Sequence, residues 1–180
     1  MQVSERNHLK EYYNIVNGEV KKPKDGVMVD TYDPTTGKAW AKIPFSKKED
    51  AEEAIQAARS AFPSWSSLPA RMRGDYLRQI GDMISQYADE LLELETKNNG
   101  WVLDEHKYLA EVLRQFWYDA AGAAALLGGQ GRTVQMGTDN FGFTLRKPYG
   151  VVVGILPWNA PLFTFTIKAA YALAAGNTVV

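Results

Sequence analysis

The chain has 180 residues, 46% of them hydrophobic and 23% charged, with 20 Lys and Arg against 21 Asp and Glu. A net charge of −1 without a Lys/Arg cluster gives no electrostatic reason to expect nucleic acid or an anionic membrane as partner. Cysteine is absent, which excludes disulfides, thiolate metal sites and a cysteine nucleophile from these residues.

Met1 to His8 is polar and lacks the apolar core of a secretory signal. No apolar run approaches the roughly 20 residues of a membrane-spanning helix. The expectation is a soluble, cytoplasmic protein, with room for one compact domain or parts of two.

Short strands come first. Tyr12 to Val16 runs into Asn17-Gly18, a strong hairpin signal. Val27 to Tyr32 is a second strand, ended by the turn Asp33-Pro34-Thr35-Thr36-Gly37, and Ala39 to Ile43 is a third. Together they read as a β-meander. Ser46-Lys47-Lys48-Glu49 reads as a capping box, with Ser46 as cap and Glu49 reaching back. Ala51, Ala54, Ile55, Ala58, Ala61 and Phe62 then recur at helical spacing until Pro63, which is expected to stop the helix.

A second helix is expected from Pro69 to Asn98-Asn99-Gly100, with Met72, Tyr76, Ile80, Met83, Ile84, Tyr87 and Leu91 inward. A third, from Asp104 to Leu127, places Leu109, Val112, Leu113, Phe116, Ala120, Ala123, Ala124 and Leu127 inward and stops at Gly128-Gly129. Gly129 to Gly142 reads as a turn-rich passage holding a strand at Arg132 to Met136, and Phe141 to Arg146 alternates as a half-buried strand does. After Pro148 the pattern changes. Tyr149 to Leu156 is continuously apolar, as a parallel strand buried on both faces would be.

A helix from Pro161 to Ala174 follows, closed by Gly176-Asn177, and Thr178 to Val180 opens another buried strand. The order is strand–helix–strand, the opening unit of a doubly wound sheet. A strand at the very end would leave unpaired edges, so the native sequence is expected to continue past Val180. The composition shift near Arg146 to Pro148 suggests two parts, residues 1–146 and residues 147–180.

Leu156-Pro157-Trp158-Asn159-Ala160-Pro161 carries the most chemistry. It lies at the carboxyl end of the first parallel strand, where open α/β sheets bind ligands. The Asn159 amide is a neutral donor suited to a developing oxyanion. The same residues also read as an ordinary strand-to-helix turn, with Asn159 as N-cap and Pro161 near the first helical position.

The stretch Lys147 to Pro161, with Lys168 and Ala172-Leu173-Ala174-Ala175-Gly176-Asn177-Thr178-Val179-Val180, resembles the aldehyde dehydrogenase superfamily. Asp33-Pro34-Thr35-Thr36-Gly37, Ala61-Phe62 with Trp65, Arg73 before Leu77, Glu95-Thr96 and Asn99-Gly100 match it more loosely, in the same order. The resemblance implies an incomplete aldehyde dehydrogenase fold: an α/β protein in which a meander and helices lead into the start of a Rossmann-like parallel sheet.

It implies further that the parent enzyme oxidises a small-molecule aldehyde to a carboxylic acid with NAD or NADP, through a thiohemiacetal and a thioester. Asn159 inherits the oxyanion-donor role and Lys168 that of a lysine organising the catalytic groups. Ile155, Leu156, Pro157 and Trp158 fall along the cofactor, and Ala160, Phe163, Thr164 and Ile167 along the substrate tunnel. Lys168 as a solvated helix lysine, and Phe163 and Ile167 as core, are the structural alternatives. The strands at 132–136 and 141–146 match an arm that pairs with another subunit, implying a homo-oligomer, dimer or tetramer.

The glycine-rich cofactor turn, general-base glutamate and nucleophilic cysteine of the family have no counterpart here, so the 180-residue chain is expected to be inactive alone. A non-catalytic truncated paralogue serving as an oligomerisation or regulatory module is the alternative, as is a relative acting on acyl-phosphate or acyl-CoA. Gly128-Gly129-Gln130-Gly131 follows a helix and reads as its stop, not as a phosphate loop. His8 and His106 lack metal-ligand spacing, no metal is expected, and His106 is expected at the surface. No Gly-x-Ser-x-Gly supports a serine hydrolase.

Overall fold

The computed structural model describes residues 9–127 and 131–180. His8 and the Gly128-Gly129 helix stop lie outside the described residues. Five short strands come first: Lys10–Glu11 (β1), Asn14–Val16 (β2), Glu19–Lys21 (β3), Met28–Asp33 (β4) and Lys38–Pro44 (β5). The expected meander is two sheets. β2 and β3 form a hairpin, and β1-β5-β4 is a separate sheet in which β1 runs parallel to β5. Asn17 and Gly18 have φ of 53° and 76°, the left-handed pair that an Asn-Gly hairpin turn requires. The β1 pairing has no sequence signal, because two residues carry no periodicity.

Lys48–Ser66 (α1), Ala70–Gln86 (α2), Ala88–Asn99 (α3), Leu103–His106 (α4) and Leu109–Leu127 (α5) make up the helical part. The capping box lies one residue later than expected. Asp50, not Glu49, reaches back, its carboxylate accepting the Lys47 amide at 2.8 Å and the Lys24 amide at 2.9 Å. Those two bonds hold its carboxyl below the ordinary carboxylate range. Ser46 instead accepts from the Asn14 side chain at 2.7 Å.

Pro63 does not stop α1, which runs one further turn. The hydroxyls of Ser64, Ser66 and Ser67 donate to the carbonyls of Ala61, Pro63 and Ser64, giving that last turn local partners. The single helix expected from Pro69 to Gly100 breaks at Tyr87, whose φ of −106° and ψ of 20° leave the helical well. The break lets α2 lie on α5 while α3 turns towards β4. The expected third helix likewise splits, α4 standing apart from α5.

The inward face of α2 is only partly the expected one, Ile84 being buried and Ile80 packed against the core. Met72, Tyr76, Met83 and Tyr87 are exposed, and the buried line is Gly74, Leu77, Gly81 and Ile84. A search for apolar side chains passes over glycines, yet here they bring two helices together. A Cβ on Gly74 would lie 2.9 Å from the carbonyl oxygen of Ala121 in α5. The face of α5 follows its sequence pattern more closely: Leu109, Leu113, Ala120 and Ala124 are buried, joined by Trp117 and Ala121.

Thr133–Gln135 (β6) and Phe141–Phe143 (β7) pair as an antiparallel hairpin. It is not half-buried: Val134, Met136, Phe141, Phe143 and Leu145 all face solvent. Val151–Val152 (β8), Pro161–Ala174 (α6) and Thr178–Val179 (β9) complete the chain as strand–helix–strand, with β8 and β9 parallel. Leu77, Leu113, Trp117, Ala169, Ala170 and Ala174 belong to one buried cluster, where α6 packs on α5 and α2. The strand expected over Tyr149 to Leu156 is shorter and open, Val153 being 55% and Ile155 81% exposed. Its ladder has one partner, β9, and its other edge has none among the described residues.

Candidate active site

Helix α6 is anchored at its carboxyl end by side chains from elsewhere in the chain. The Trp65 indole donates to the Leu173 carbonyl at 3.2 Å and the Arg73 guanidinium to the Ala174 carbonyl at 3.3 Å. Arg73 also donates to Leu68 at 2.6 Å, and burial lowers its pKa. Asn177 accepts the Gly150 amide at 3.0 Å and donates to the Ala172 carbonyl at 3.0 Å, fastening the start of β8 to the end of α6. Thr178 donates to the Ala58 carbonyl at 2.8 Å. The Gly-Asn-Thr-Val-Val run is therefore a set of bolts around one strand–helix–strand unit.

The other end of α6 is reached from β8 through the turn containing Pro157 and Pro161. Ala160, not Asn159, is the N-cap, and Pro161 takes the first helical position, where its missing N–H costs nothing. Ala160 has no capping oxygen, so the first-turn amides need acceptors from outside. Glu95 of α3 lies there, 7% exposed, and burial pushes its carboxyl up while the Leu162 amide and the charge of His106 pull it down. Asn99 donates its side-chain amide to the Asn159 carbonyl at 3.1 Å and to Glu95 at 3.4 Å, and accepts the Trp101 amide at 2.9 Å.

The Asn159 side chain is exposed and carries no hydrogen bond to another described residue. Ile155, Leu156, Pro157 and Trp158 are all exposed, Trp158 by 81%, and make an apolar strip at the carboxyl end of β8. Lys168 curls back from α6 and donates to the Ile155 carbonyl. Ala160 and Ile167 are half-buried. Thr164 donates to the Ala160 carbonyl at 2.8 Å, and Phe163 packs edge-on against Phe116 with ring centroids 5.7 Å apart. The turn thus gathers Asn159 and the strip, ties Lys168 to the strip, and sends Phe163 towards α5.

Two features escape the sequence reading. Glu95 and Asn99 belong to the looser family match, but their place at the turn shows only once their partners are known, although a carboxylate one turn after Leu92 on a helix's apolar side is a signal. His106 is not a free surface residue: its ring stacks on Trp101 at 4.1 Å and bonds to the Val102 carbonyl at 2.9 Å. A separate apolar groove of about 720 Å³ runs between α1 and α6, lined by Ala54, Ala58, Ala61, Trp65, Phe165 and Leu173, and holds none of the candidate residues.

Comparison with known proteins identifies the family. The model of the aldehyde dehydrogenase family matches residues 21–180. The chain is 38% identical to the 2-aminomuconic semialdehyde dehydrogenase of Homo sapiens over 155 residues, 84% of this chain and 31% of that protein. Among solved structures, Staphylococcus aureus betaine aldehyde dehydrogenase in complex with NAD+ superposes with a TM-score of 0.88 at 32% identity, over 96% of this chain and 34% of that one. An NADP-dependent enzyme of E. coli gives 0.89 at 29% identity, over 94% and 35%. The chain therefore spans about a third of the length of the proteins it matches.

Proposed function

The chain belongs to the aldehyde dehydrogenase family, and from that premise we propose that it is the N-terminal portion of an NAD(P)+-dependent enzyme oxidising an aldehyde to a carboxylic acid. The observation that carries this is the free amide of Asn159 beside an apolar strip at a parallel strand's carboxyl end. In this reading the Asn159 side chain donates to the oxyanion formed when a nucleophile adds to the aldehyde. Pro157 and Pro161 stiffen the backbone that carries the donor, which limits the reorganisation needed as charge develops. Lys168 holds the Ile155 carbonyl and so the line of the strip.

Ile155, Leu156, Pro157 and Trp158 fit a flat, largely apolar ring and its sugar, being open, non-polar and rigid at two prolines' reach. A nicotinamide cofactor, when bound, accepts hydride from the substrate carbon. Ala160, Phe163, Thr164 and Ile167 form the substrate side, and the small Ala160 leaves width there. Residues 1–146 frame the site and residues 147–180 begin the cofactor-binding part. Cysteine is absent here, so the thiolate that forms the thiohemiacetal and thioester belongs to the rest of the parent protein. The apolar β6–β7 hairpin is assigned to pairing between subunits of a dimer or tetramer.

The test is an aldehyde panel with NAD+ and with NADP+, run on the complete protein and on a mass-verified 180-residue chain. The complete protein should form NADH or NADPH and the chain alone should not. No oxidation of any aldehyde by the complete protein, or turnover by the chain alone, overturns the proposal.

A further inference from the structure

The oxyanion donor sits on a short turn between a two-residue strand and an uncapped helix. Beside its two prolines and the bonds from α6, a further hold on it comes from another element. Asn99 is the last residue of α3, and its amide nitrogen lies between two acceptors: the Asn159 carbonyl at 3.1 Å and a Glu95 carboxylate oxygen at 3.4 Å. Its own carbonyl oxygen is taken by the Trp101 amide at 2.9 Å, which fixes which way the amide faces. Glu95, one turn earlier, is buried at 7% exposure and accepts from that same Asn99 amide. Gly100, in left-handed conformation at φ +81°, lets the end of α3 approach Pro34 so closely that a Cβ there would lie 2.9 Å from the proline ring.

The one contact to Asn159 lands on its backbone carbonyl and not on its side chain, and the others fix Asn99 itself. Pinning the Asn159 carbonyl restricts the rotation that would swing its side chain, while Glu95 holds the Asn99 amide that does the pinning. We propose that Glu95 and Asn99 are positioning residues that aim the Asn159 amide, a clamp from α3 on which the oxyanion donor depends. The inference rests on the oxyanion reading of Asn159.

The test uses Asn99→Asp, which keeps shape but removes the donor, with Glu95→Ala and the conservative Glu95→Gln. In the complete enzyme, Asn99→Asp and Glu95→Ala should lower kcat by about tenfold to a hundredfold, as expected for a donor displaced by a fraction of an ångström to an ångström. KM for aldehyde should stay within about threefold, since the clamp acts on the reacting geometry and not on uniform binding. Glu95→Gln, still able to accept the Asn99 amide, should restore most of the loss. In parallel, amide exchange in Leu162 to Thr164 should speed up in Asn99→Asp.

Unchanged kcat and unchanged exchange in Asn99→Asp overturn the clamp, and so does a loss confined to KM. A wild-type enzyme inactive on every aldehyde sinks the functional reading instead, and the exchange arm then still decides whether α3 holds the turn. If Glu95→Ala fails to fold, Asn99→Asp carries the decision alone.

Discussion

The α2–α5 contact and the β8–α6 turn both depend on unusual backbone, and put it to opposite ends. Between the helices, Gly74 and Gly81 remove side chains so that α5 can close on α2, and Leu77, Leu113 and Trp117 are left with 1% exposure or less. At the turn, Pro157 and Pro161 stiffen the chain so that Trp158 and Asn159 stay out in solvent. One region uses its backbone to close a core and the other to hold a surface open. Stability and chemistry should therefore come apart under mutation.

The largest expected effect is on the closed side. Trp117→Ala removes the largest fully buried side chain and should cost about 3–5 kcal/mol of unfolding free energy, read from the urea midpoint of the chain. Trp117→Phe should cost clearly less, because the indole nitrogen is buried without a partner and its removal relieves an unsatisfied donor. If both variants unfold like wild type, the helical cluster is not what holds the chain together.

On the open side, Asn159→Ala should leave the midpoint within about 0.5 kcal/mol of wild type, as an exposed side chain without tertiary bonds allows. In the complete enzyme it should lower kcat by about 10²–10³, the usual cost of removing an oxyanion donor. A variant that loses stability and keeps activity would reverse the roles assigned to the two regions.

How far each region can be read in the sequence follows the same division. Asn17-Gly18, the limits of α6 and the parallel β8–β9 pair are legible because turn chemistry and apolar runs are local signals. The shared helical interface is not, since Gly74 and Gly81 show no side chain and the partner that explains them lies far along the chain in α5. Pro63 misleads for a related reason: the three serines that finish α1 around it are ordinary one by one. At the turn, Asn159 and Lys168 can be named from the motif, but Asn99 and Glu95 reach it only through tertiary structure, 60 residues off in the case of Asn99.

The glycines sharpen the contrast further, and with smaller effects. Gly74→Ala drives a methyl to 2.9 Å from a backbone carbonyl that cannot swing aside, and should cost about 1–3 kcal/mol. Gly81→Ala meets its neighbours at 3.3 Å, so its clash should roughly cancel the helix-propensity gain of about 0.5–1 kcal/mol. Equal costs at the two sites would mean that propensity, and not the approach of α5, sets their sign.

The smallest effect belongs to Gly122, which lies within α5 on its exposed side with nothing within 4 Å of an added methyl. No helix closes on it, so glycine there brings only its entropic cost, and Gly122→Ala should stabilise by about 0.5–1 kcal/mol. The urea midpoint should rise while the slope of the transition stays constant, because no buried surface changes. The rise would show that the penalty at Gly74 comes from the packed partner and not from alanine in a helix. A fall would instead place the penalty at Gly74 on alanine in a helix and not on the closeness of its partner, since nothing on this side of α5 stands in the way of a methyl.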